Sequence, residues 1–425
     1  MSTVSFEAPR GMRDFYPEDM AWRNRIFDAW RRSARRFGFQ PYDACVVESL
    51  ELLQRKSGEE VSEQIYAFED KSGRKLALRP EMTPTLARMV AARQSRLPFP
   101  IKWFTVAQCF RYERMTRGRK REHYQLNMDI IGSEDVLCEA EILGAAVDAM
   151  RSMGMPDGAW RIHVSSRALL GELLAASGIP ERHHPAVFIA LDKRGKIDDS
   201  EIADLLRGEG LDEAAIGKTF ALLAVNSLDE AAAMVAADSK AMADLRGLFD
   251  LAHAMGYGDL LMFDIAVIRG LSYYTGIVFE AFDIQRRFRA IFGGGRYDSL
   301  LALVGGQPTP AVGMGFGDVV VGEVLREILG DACPEPRAGY IIGYMTPEQR
   351  SAAVTLAAWL RADGETVDLS LVPQKPKHFF AKAGNSSALK AVYIGPDDVA
   401  SGTAQAKNLQ TREFESLSLA QPVQP

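Results

Sequence analysis

The chain has 425 residues, of which 47% are hydrophobic and 25% are charged, a balance that is ordinary for a folded protein of two or three domains. A formal net charge of −6 argues against a protein that coats nucleic acid with its whole surface. No apolar run approaches the ~18 residues of a membrane span, and four scattered cysteines without metal-ligand spacing indicate a reducing compartment.

The first third of the chain predicts a helix followed by a pair of long strands. The N-terminus lacks the basic start and apolar stretch of a signal peptide, so we expect a cytoplasmic protein. Residues 20–37 alternate apolar and arginine side chains in the manner of a helix. Residues 101–113 and 124–131 predict two antiparallel strands, joined by a charged loop at 114–122.

One stretch of this acidic chain is strongly basic. From Arg79 to Gln125 there are eleven Lys or Arg residues and three Glu residues. Such a local concentration of charge suits a polyanionic ligand, either nucleotide phosphates or an RNA end. A solvated basic face is the default explanation for a single helix, but here the charges lie on both sides of an apolar strand.

The rest of the chain predicts a helical region and then a small α/β unit. Residues 134–153 have a helical pattern, and the composition from 160 to 255 is rich in alanine, leucine and acidic residues, which predicts an inserted helical lobe. Strands resume at Met262 and continue to Phe292. Beyond the prolines at 334–336, the pattern predicts a parallel sheet of strands at 340–344, 366–372 and 391–394, with helices at 347–363 and 375–388. We expect the tail from Ser416 onward to be frayed.

Several polar residues are placed where chemistry is expected. Arg269 precedes the adjacent Tyr273 and Tyr274, and a triple glycine at 293–295 lets another group approach the backbone. Either segment alone is equally consistent with an edge strand and a glycine-rich turn.

Two earlier segments add carboxylates and an amide. Glu81 and Thr83 could hold an ammonium group, although a helix N-terminus capped by Thr83 explains the same residues. Gln125 and Asp129 fall on one face of the second strand by the two-residue period and could bind a polar ligand while Arg111 faces its phosphates.

Together these segments resemble the signature motifs of the histidyl-tRNA synthetase family. The family forms R-G-L-D-Y-Y and G-G-G-R-Y-D correspond to residues 269–274 and 293–298, with Ser272 in place of the aspartate. Further similarity lies in P-R-G-x-R-D at 9–14, in L-R-P-E-x-T at 78–83 and in the class II motif 2 strand at 110–114. The resemblance covers nearly the whole chain.

The resemblance implies an α/β fold class with an α+β catalytic domain. This domain would be a class II antiparallel sheet with helices, interrupted by a helical insertion and followed by an α/β domain like the anticodon-binding domain of class IIa synthetases. The expected limits are 1–160 and 258–332 for the two parts of the catalytic domain, 161–257 for the insertion and 338–415 for the C-terminal domain.

The implied activity is that of an ATP-dependent ligase that joins L-histidine to tRNA(His), acting as a cytoplasmic homodimer. ATP would be a substrate accompanied by Mg²⁺, with no prosthetic group and no protein-bound metal, since Arg269 would replace the metal ion that other class II enzymes place at the α-phosphate. The implied catalytic residues are Arg269 and Arg111. The implied histidine-binding residues are Glu81, Met82, Thr83, Gln125, Asp129, Tyr273 and Tyr274. The implied ATP-binding residues are Arg111, Glu113, Arg121, Arg269 and Arg296.

The chain departs from the family pattern at two further places. Cys45 stands where motif 1 usually has a proline, which leaves the strand kink at the expected dimer interface open. Motif 3 usually ends in an arginine, but here Gly317 and Asp318 end it, as in a branch that contains plant organellar and some bacterial enzymes. The alternative function is the histidine-sensing regulatory subunit of ATP phosphoribosyltransferase, a class of paralogue that generally lacks the C-terminal domain and the full catalytic set.

Overall fold

A large, mostly antiparallel sheet organises the first of two units. The structure is a computed structural model that describes residues 6–54, 64–194, 197–268, 273–330 and 337–420. The chain divides into a unit of residues 1–332 and a unit of residues 333–425. The finer domain limits expected from the sequence stay a prediction.

The elements of the first unit have the following bounds. Its strands are β1 (Gln40–Pro41), β2 (Val47–Ser49), β3 (Tyr66–Glu69), β4 (Lys75–Leu78), β5 (Ile101–Phe110), β6 (Glu122–Ile131), β7 (Trp160–Ser166), β8 (Leu261–Phe263), β9 (Ile277–Asp283), β10 (Phe292–Arg296) and β11 (Ala311–Gly317). Its α-helices are α1 (Pro17–Arg36), α2 (Leu50–Gln54), α3 (Thr83–Ala91), α4 (Leu137–Ser152), α5 (Arg167–Ala176), α6 (His184–Asp192), α7 (Asp199–Gly208), α8 (Glu213–Leu222), α9 (Leu228–Ala232), α10 (Lys240–Ala254), α11 (Leu300–Leu303) and α12 (Asp318–Leu329).

The large sheet has the order β1-β5-β6-β11-β10-β9-β7-β8, and β2-β4-β3 form a small separate sheet. Strand β1 is parallel to β5 and β8 is parallel to β7, whereas the other neighbours in the large sheet are antiparallel. Strand β11 joins the two halves of the sheet, because it pairs with β6 on one side and with β10 on the other. The predicted fold class, an antiparallel sheet with helices, is confirmed.

The two faces of this sheet differ in chemistry. Phe316 of β11 packs against Trp30 of α1, with ring centroids 5.3 Å apart, and both side chains are fully buried. Because side chains alternate along a strand, Gly313, Gly315 and Gly317 face the opposite side. Helices therefore cover one face as an apolar core, and the other face carries glycines and polar side chains.

Helices α5 to α10 lie between β7 and β8, where the composition predicts a helical lobe. Their ends are defined by side-chain caps. Ser166 accepts a hydrogen bond from the Leu169 amide at the start of α5, and Ser239 accepts one from the Met242 amide at the start of α10. The predicted helical character of this region is confirmed.

The second unit is a five-stranded sheet with helices. Its strands are β12 (Tyr340–Tyr344), β13 (Val367–Leu369), β14 (Lys390–Ile394), β15 (Thr403–Asn408) and β16 (Phe414–Ser418). Its α-helices are α13 (Arg350–Ala362), α14 (Pro376–Gly384) and α15 (Pro396–Ser401). The sheet has the order β13-β12-β14-β15-β16, with the first three strands parallel, as predicted, and the last two antiparallel.

The expectation of a frayed tail from Ser416 is wrong, because Ser416 lies within β16 and pairs with Gln405 of β15. The sequence signal was weak, since Leu417 is the one buried side chain in this strand. In the part of the chain that the structure describes, no helix is long and apolar enough to cross a membrane.

Candidate active site

On the polar face of the large sheet, the glycines of β10 and β11 leave room for side chains that project from β6. A Cβ atom on Gly313 would lie 2.0 Å from Asp129 Oδ1, and a Cβ atom on Gly315 would lie 2.4 Å from Gln125 Nε2. The side chains of Gln125 and Asp129 therefore lie over β11 and occupy the space that a Cβ atom at Gly315 or Gly313 would fill. We call this the glycine surface, and it consists of Gly293, Gly295, Gly313 and Gly315, which pair between β10 and β11.

Asp129 is the most enclosed polar group on this surface, with 2% of its area exposed. The Tyr297 hydroxyl donates a hydrogen bond of 2.5 Å to Asp129 Oδ1. The other oxygen, Oδ2, is buried and has no hydrogen-bond partner within the described ranges. Burial raises the pKa of Asp129 to about 7, and the Tyr297 hydrogen bond acts in the opposite direction. The site thus offers a buried oxygen that can accept a hydrogen bond from a ligand.

Glu81 brings a second carboxylate to the same region. It is buried just before α3, and the Tyr273 hydroxyl lies 3.4 Å from its Oε2 atom. The Tyr273 ring also contacts the rings of Tyr274 and Tyr297, with centroids 4.9 and 5.9 Å away. Tyrosine rings therefore connect Glu81 with the Asp129 pocket, and the predicted histidine-binding residues from β6, from the start of α3 and from 273–274 come together.

Thr83 and Met82 hold different positions at the start of α3. Thr83 is the first residue of the helix and is largely buried, and Met82 precedes it. The Met82 side chain is fully buried in a small apolar cluster with Ala107 and Cys109. Met82 therefore contributes packing beneath the pocket.

The predicted phosphate-binding residues lie on the loop between β5 and β6. Arg111 Nε donates to the Pro80 carbonyl oxygen at 3.0 Å, which ties this loop to the segment before α3. The Arg121 guanidinium lies over the Tyr112 ring, 3.9 Å from its centroid. Glu113 forms an ion pair of 2.6 Å with Arg119. Arg111 and Arg121 thus bring two guanidinium groups to this loop, and Glu113 lies with them.

Two predicted residues stand apart from this group. Arg296 lies on the opposite face of the sheet, since its neighbour Gly295 belongs to the glycine surface. Its guanidinium donates to both oxygens of the buried Glu139, at 2.7 and 2.6 Å. This position does not support a contact with ATP, and that role of Arg296 stays a prediction. Arg269 lies outside the described residues.

Three site residues were missed by sequence reasoning. Asn127 lies between Gln125 and Asp129 on the same face of β6, and its buried Oδ1 has no hydrogen-bond partner among the residues described. The two-residue period that identified its neighbours would also have identified Asn127. Tyr297 belongs to the G-G-G-R-Y-D motif, but its role depends on the hydrogen bond to Asp129, which is distant in the sequence. Tyr42, the third, packs against the cluster that contains Tyr273, Tyr274 and Tyr297.

Comparison with known proteins shows the family to which the chain belongs. The sequence model described as histidyl-tRNA synthetase matches residues 11–317. The chain is 43% identical to the chloroplastic/mitochondrial histidine–tRNA ligase of Arabidopsis thaliana, over 98% of this chain and 86% of that protein. The chain belongs to the histidyl-tRNA synthetase family. It is also 38% identical to the histidine–tRNA ligase of Opitutus terrae, over 96% of this chain and 95% of that protein.

Solved structures support the fold of this histidyl-tRNA synthetase family member. A histidyl-tRNA synthetase from a Nostoc species superposes with a TM-score of 0.81 at 22% identity, covering 98% of this chain and 97% of that chain. A Bacillus halodurans protein described as an ATP phosphoribosyltransferase regulatory subunit/histidyl-tRNA synthetase gives 0.77 at 23% identity, covering 93% of this chain and 99% of that chain. At these identities the likeness shows the fold alone.

The departure at the end of motif 3 now has a structural account. Asp318 is buried at the start of α12, and its Oδ1 accepts a hydrogen bond of 2.8 Å from the Tyr124 amide. Its Oδ2 lies 3.0 Å from the Arg13 guanidinium, and Arg13 also pairs with the buried Glu122 at 2.5 Å. Burial raises the pKa of Asp318, while Arg13 opposes that rise. Where the histidyl-tRNA synthetase family usually has an arginine, this chain has a carboxylate that holds the N-terminal motif in place.

Cys45, the other departure, lies in the exposed segment between β1 and β2. Its Sγ atom is 3.9 Å from the Arg88 guanidinium and 4.0 Å from a Glu48 oxygen. The segment therefore makes side-chain contacts without the proline that is usual in the family.

Proposed function

We propose that the chain activates L-histidine with ATP and transfers the histidyl group to tRNA(His). In the first step a carboxylate oxygen of histidine attacks the α-phosphorus of ATP, and diphosphate leaves. In the second step a hydroxyl of the 3′-terminal ribose attacks the histidyl carbonyl, and AMP leaves. Similarity to histidine–tRNA ligases along nearly the whole chain supports this reaction.

The observation that carries the choice of amino acid is the buried Asp129 carboxylate. Its Oδ2 atom has no partner within the described residues and can accept a hydrogen bond from an imidazole N–H. Glu81 and Thr83 would hold the ammonium group, with Gln125 beside Asp129 and with Tyr273 and Tyr274 closing the pocket. A pocket built from hydrogen-bonding groups rejects apolar amino acids, because those leave its own polar atoms unpaired.

Arginines would stabilise the charge that develops during adenylation. In the proposed site Arg111 and Arg269 face the α-phosphate, and Arg121 binds the distal phosphates of ATP, which brings its own Mg²⁺. Negative charge accumulates on the non-bridging oxygens in the transition state, and fixed guanidinium groups stabilise it without a proton transfer. The stacking of Arg121 on Tyr112 supports a fixed position for that group.

The second unit would bind the anticodon of tRNA(His). The basic stretch from Arg79 to Gln125 would lie near the acceptor end of the tRNA, where phosphates are concentrated.

We also propose a homodimer in the cytoplasm, as the family resemblance implies. The alternative, a histidine-sensing regulatory subunit, binds histidine without any need for Arg111, Arg121 and Arg269.

The deciding experiment is histidine-dependent exchange of labelled diphosphate into ATP, followed by charging of tRNA(His). The parent should support both reactions, and Arg269→Lys should lose at least about a hundredfold in exchange while histidine binding changes little, since lysine lacks the guanidinium fork. Arg246→Lys is the matched control, because Arg246 is an exposed arginine on α10 that pairs with Asp229. Histidine binding without any exchange in the parent would favour the regulatory alternative.

A further inference from the structure

The segment from Gly11 to Arg13 lies against the loop that carries Arg121. The Arg121 amide donates a hydrogen bond of 2.9 Å to the Gly11 carbonyl oxygen. A Cβ atom on Gly11 would lie 2.8 Å from Arg121 Cγ and 2.9 Å from Arg121 Cδ, closer than Cβ atoms approach other atoms in proteins. The absence of a side chain at Gly11 therefore lets its backbone contact the aliphatic stem of Arg121 directly.

The charged end of the same side chain has a support of its own. The Arg121 guanidinium lies over the Tyr112 ring, 3.9 Å from its centroid, and Arg121 Nε donates to the Glu113 carbonyl oxygen at 3.5 Å. Gly11 thus fixes the stem of Arg121, and the loop residues fix its guanidinium. A side chain held at both ends loses less rotamer freedom when a ligand binds, so it binds that ligand more tightly.

An ion network holds the Gly11 segment in its place. Arg13, two residues after Gly11, pairs with Glu122 at 2.5 Å and with Asp318 at 3.0 Å, and both carboxylates are buried. Glu122 directly follows Arg121 in the chain. Because breaking such a pair leaves a buried charge uncompensated, Arg13 ties the N-terminal segment to both ends of the contact that Gly11 makes.

Resting on the proposed function, in which Arg121 binds the distal phosphates of ATP, we infer that Gly11 and Arg13 are positioning residues for that guanidinium. Neither residue touches the nucleotide. Gly11 acts through its contact with the stem of Arg121, and Arg13 acts by holding Gly11 there. Asp318, at the end of motif 3, then serves the nucleotide site through Arg13 and without a contact of its own.

A purely conformational role for Gly11 has different consequences. Its φ of +89° favours glycine, so alanine strains the backbone there whether or not Arg121 is present. Gly38 is the matched control, because its φ is +76° and a Cβ atom on it would meet no atom of the described residues within 4 Å. Gly38→Ala therefore reproduces the backbone strain without displacing a side chain.

The experiment measures the binding of ATP and of AMP by calorimetry in the presence of Mg²⁺. AMP has the α-phosphate and lacks the distal phosphates. Gly11→Ala should weaken ATP binding about tenfold, as the loss of one charge-assisted hydrogen bond does, and should leave AMP binding unchanged. Gly38→Ala should match the parent for both nucleotides. Arg13→Lys should also weaken ATP alone, because lysine lacks the fork that joins two carboxylates.

A double-mutant cycle with Arg121→Ala decides whether Gly11 acts through Arg121. In that background Gly11→Ala should weaken ATP binding by less than about a further twofold, because the group that it displaces is already gone. Thermal unfolding is measured on every variant. Arg13→Lys leaves the Gly11 turn intact and tests the same positioning should Gly11→Ala fail to fold.

The outcomes separate this inference from the proposed function. Equal weakening of ATP and AMP, equal effects of Gly11→Ala and Gly38→Ala, or a full further loss in the Arg121→Ala background would each overturn the positioning role. ATP binding that neither Gly11→Ala nor Arg13→Lys changes would overturn it as well. A parent that binds both nucleotides as expected but shows no histidine-dependent diphosphate exchange would overturn the ligase proposal and leave the positioning role standing.

Discussion

At the scale of single residues, Asp129 holds a carboxylate whose protonation changes near neutral pH. Its pKa is raised to about 7 by burial, whereas the carboxyl group ordinarily titrates near 3.8. The charged form is the one that accepts an imidazole N–H without competition from its own proton. Burial therefore strengthens the hydrogen bond to a ligand and at the same time limits the pH range in which that bond forms.

Histidine use should therefore depend on pH through Asp129. We expect kcat/KM for histidine to rise through a midpoint near pH 7, the pKa of Asp129. Tyr297→Phe removes the hydrogen bond that stabilises the carboxylate, so its midpoint should move to higher pH. The measurement is diphosphate exchange at limiting histidine across about pH 5.5–9, a range that includes the ordinary imidazole pKa of about 6.5.

Free histidine titrates in the same way whichever variant is assayed. A difference between the pH profiles of the parent and of Tyr297→Phe therefore reports a change in the titration of the protein. Superimposable profiles would show that Tyr297 does not set the pKa of Asp129.

The raised pKa of Asp129 also makes the stability of the fold depend on pH. Because the folded chain keeps this proton to higher pH than the unfolded chain, the contribution of Asp129 is fully present below about pH 4 and is lost as pH rises to about 7.

Sequence reasoning located some of these residues and not others for a clear physical reason. Gln125 and Asp129 were found because the period of a strand places them together without knowledge of the fold. Tyr42 and Tyr297 reach the Asp129 pocket from distant parts of the chain, and their roles depend on which strands become neighbours. Local patterns carry no information about that pairing.

At the scale of elements, the glycine strands β10 and β11 are adapted to two different demands. A Cβ atom on Gly315 would meet the end of the Gln125 side chain at 2.4 Å. A Cβ atom on Gly294 would meet the Gly313 carbonyl oxygen at 2.1 Å and the Met314 Cα at 2.9 Å. The first contact can be relieved by a side-chain rotation, whereas the second requires the backbone of two paired strands to move.

Alanine at these two positions should therefore have separable effects. Gly315→Ala should leave the melting temperature close to that of the parent and raise the KM for histidine about tenfold, because Gln125 must leave its place. Gly294→Ala should destabilise the fold by about 1–3 kcal/mol, as overpacked cores do. Thermal unfolding and diphosphate exchange on both variants provide the measurement. Equal loss of stability in the two variants would contradict this assignment.

The elements themselves were predicted to within a few residues where the pattern was strong. Strands β5 and β6 were expected at 101–113 and 124–131, and the strands lie at Ile101–Phe110 and Glu122–Ile131. Strands β15 and β16 were missed because their buried side chains are two alanines, Ala404 and Ala406, and the single Leu417, which give little hydrophobic contrast. The position of β11 in the middle of the sheet could not be predicted from the sequence, because β11 pairs with β6, a strand about 190 residues earlier in the chain.

At the scale of the whole molecule, the two units carry different proposed tasks. All the described residues of the proposed site belong to the unit that ends at residue 332. A chain that stops at Pro336 should therefore still form histidyl-adenylate but charge tRNA(His) poorly, because the proposed anticodon contacts are gone. Diphosphate exchange and tRNA charging, measured on the same preparation, test this expectation.

The control is a comparison of folding between the shortened and full chains by circular dichroism and size-exclusion chromatography. A folded shortened chain that charges tRNA(His) at full efficiency would refute the anticodon role. Loss of both reactions from a chain that no longer folds would instead indicate that the second unit is needed for the first unit to fold.

The place of β11 also governs how this enzyme can be made. Of the strands in the large sheet, β11 is the last to leave the ribosome, yet it belongs between β6 and β10. Until it emerges, the nascent chain can hold only two partial sheets, each with an unpaired edge facing the other. Asp129 sits on one partial sheet and Tyr297 follows the last strand of the other. The proposed substrate pocket therefore cannot be complete until β11 has emerged, and the insertion of this single late strand both pairs the two exposed edges and brings the two halves of the proposed site together.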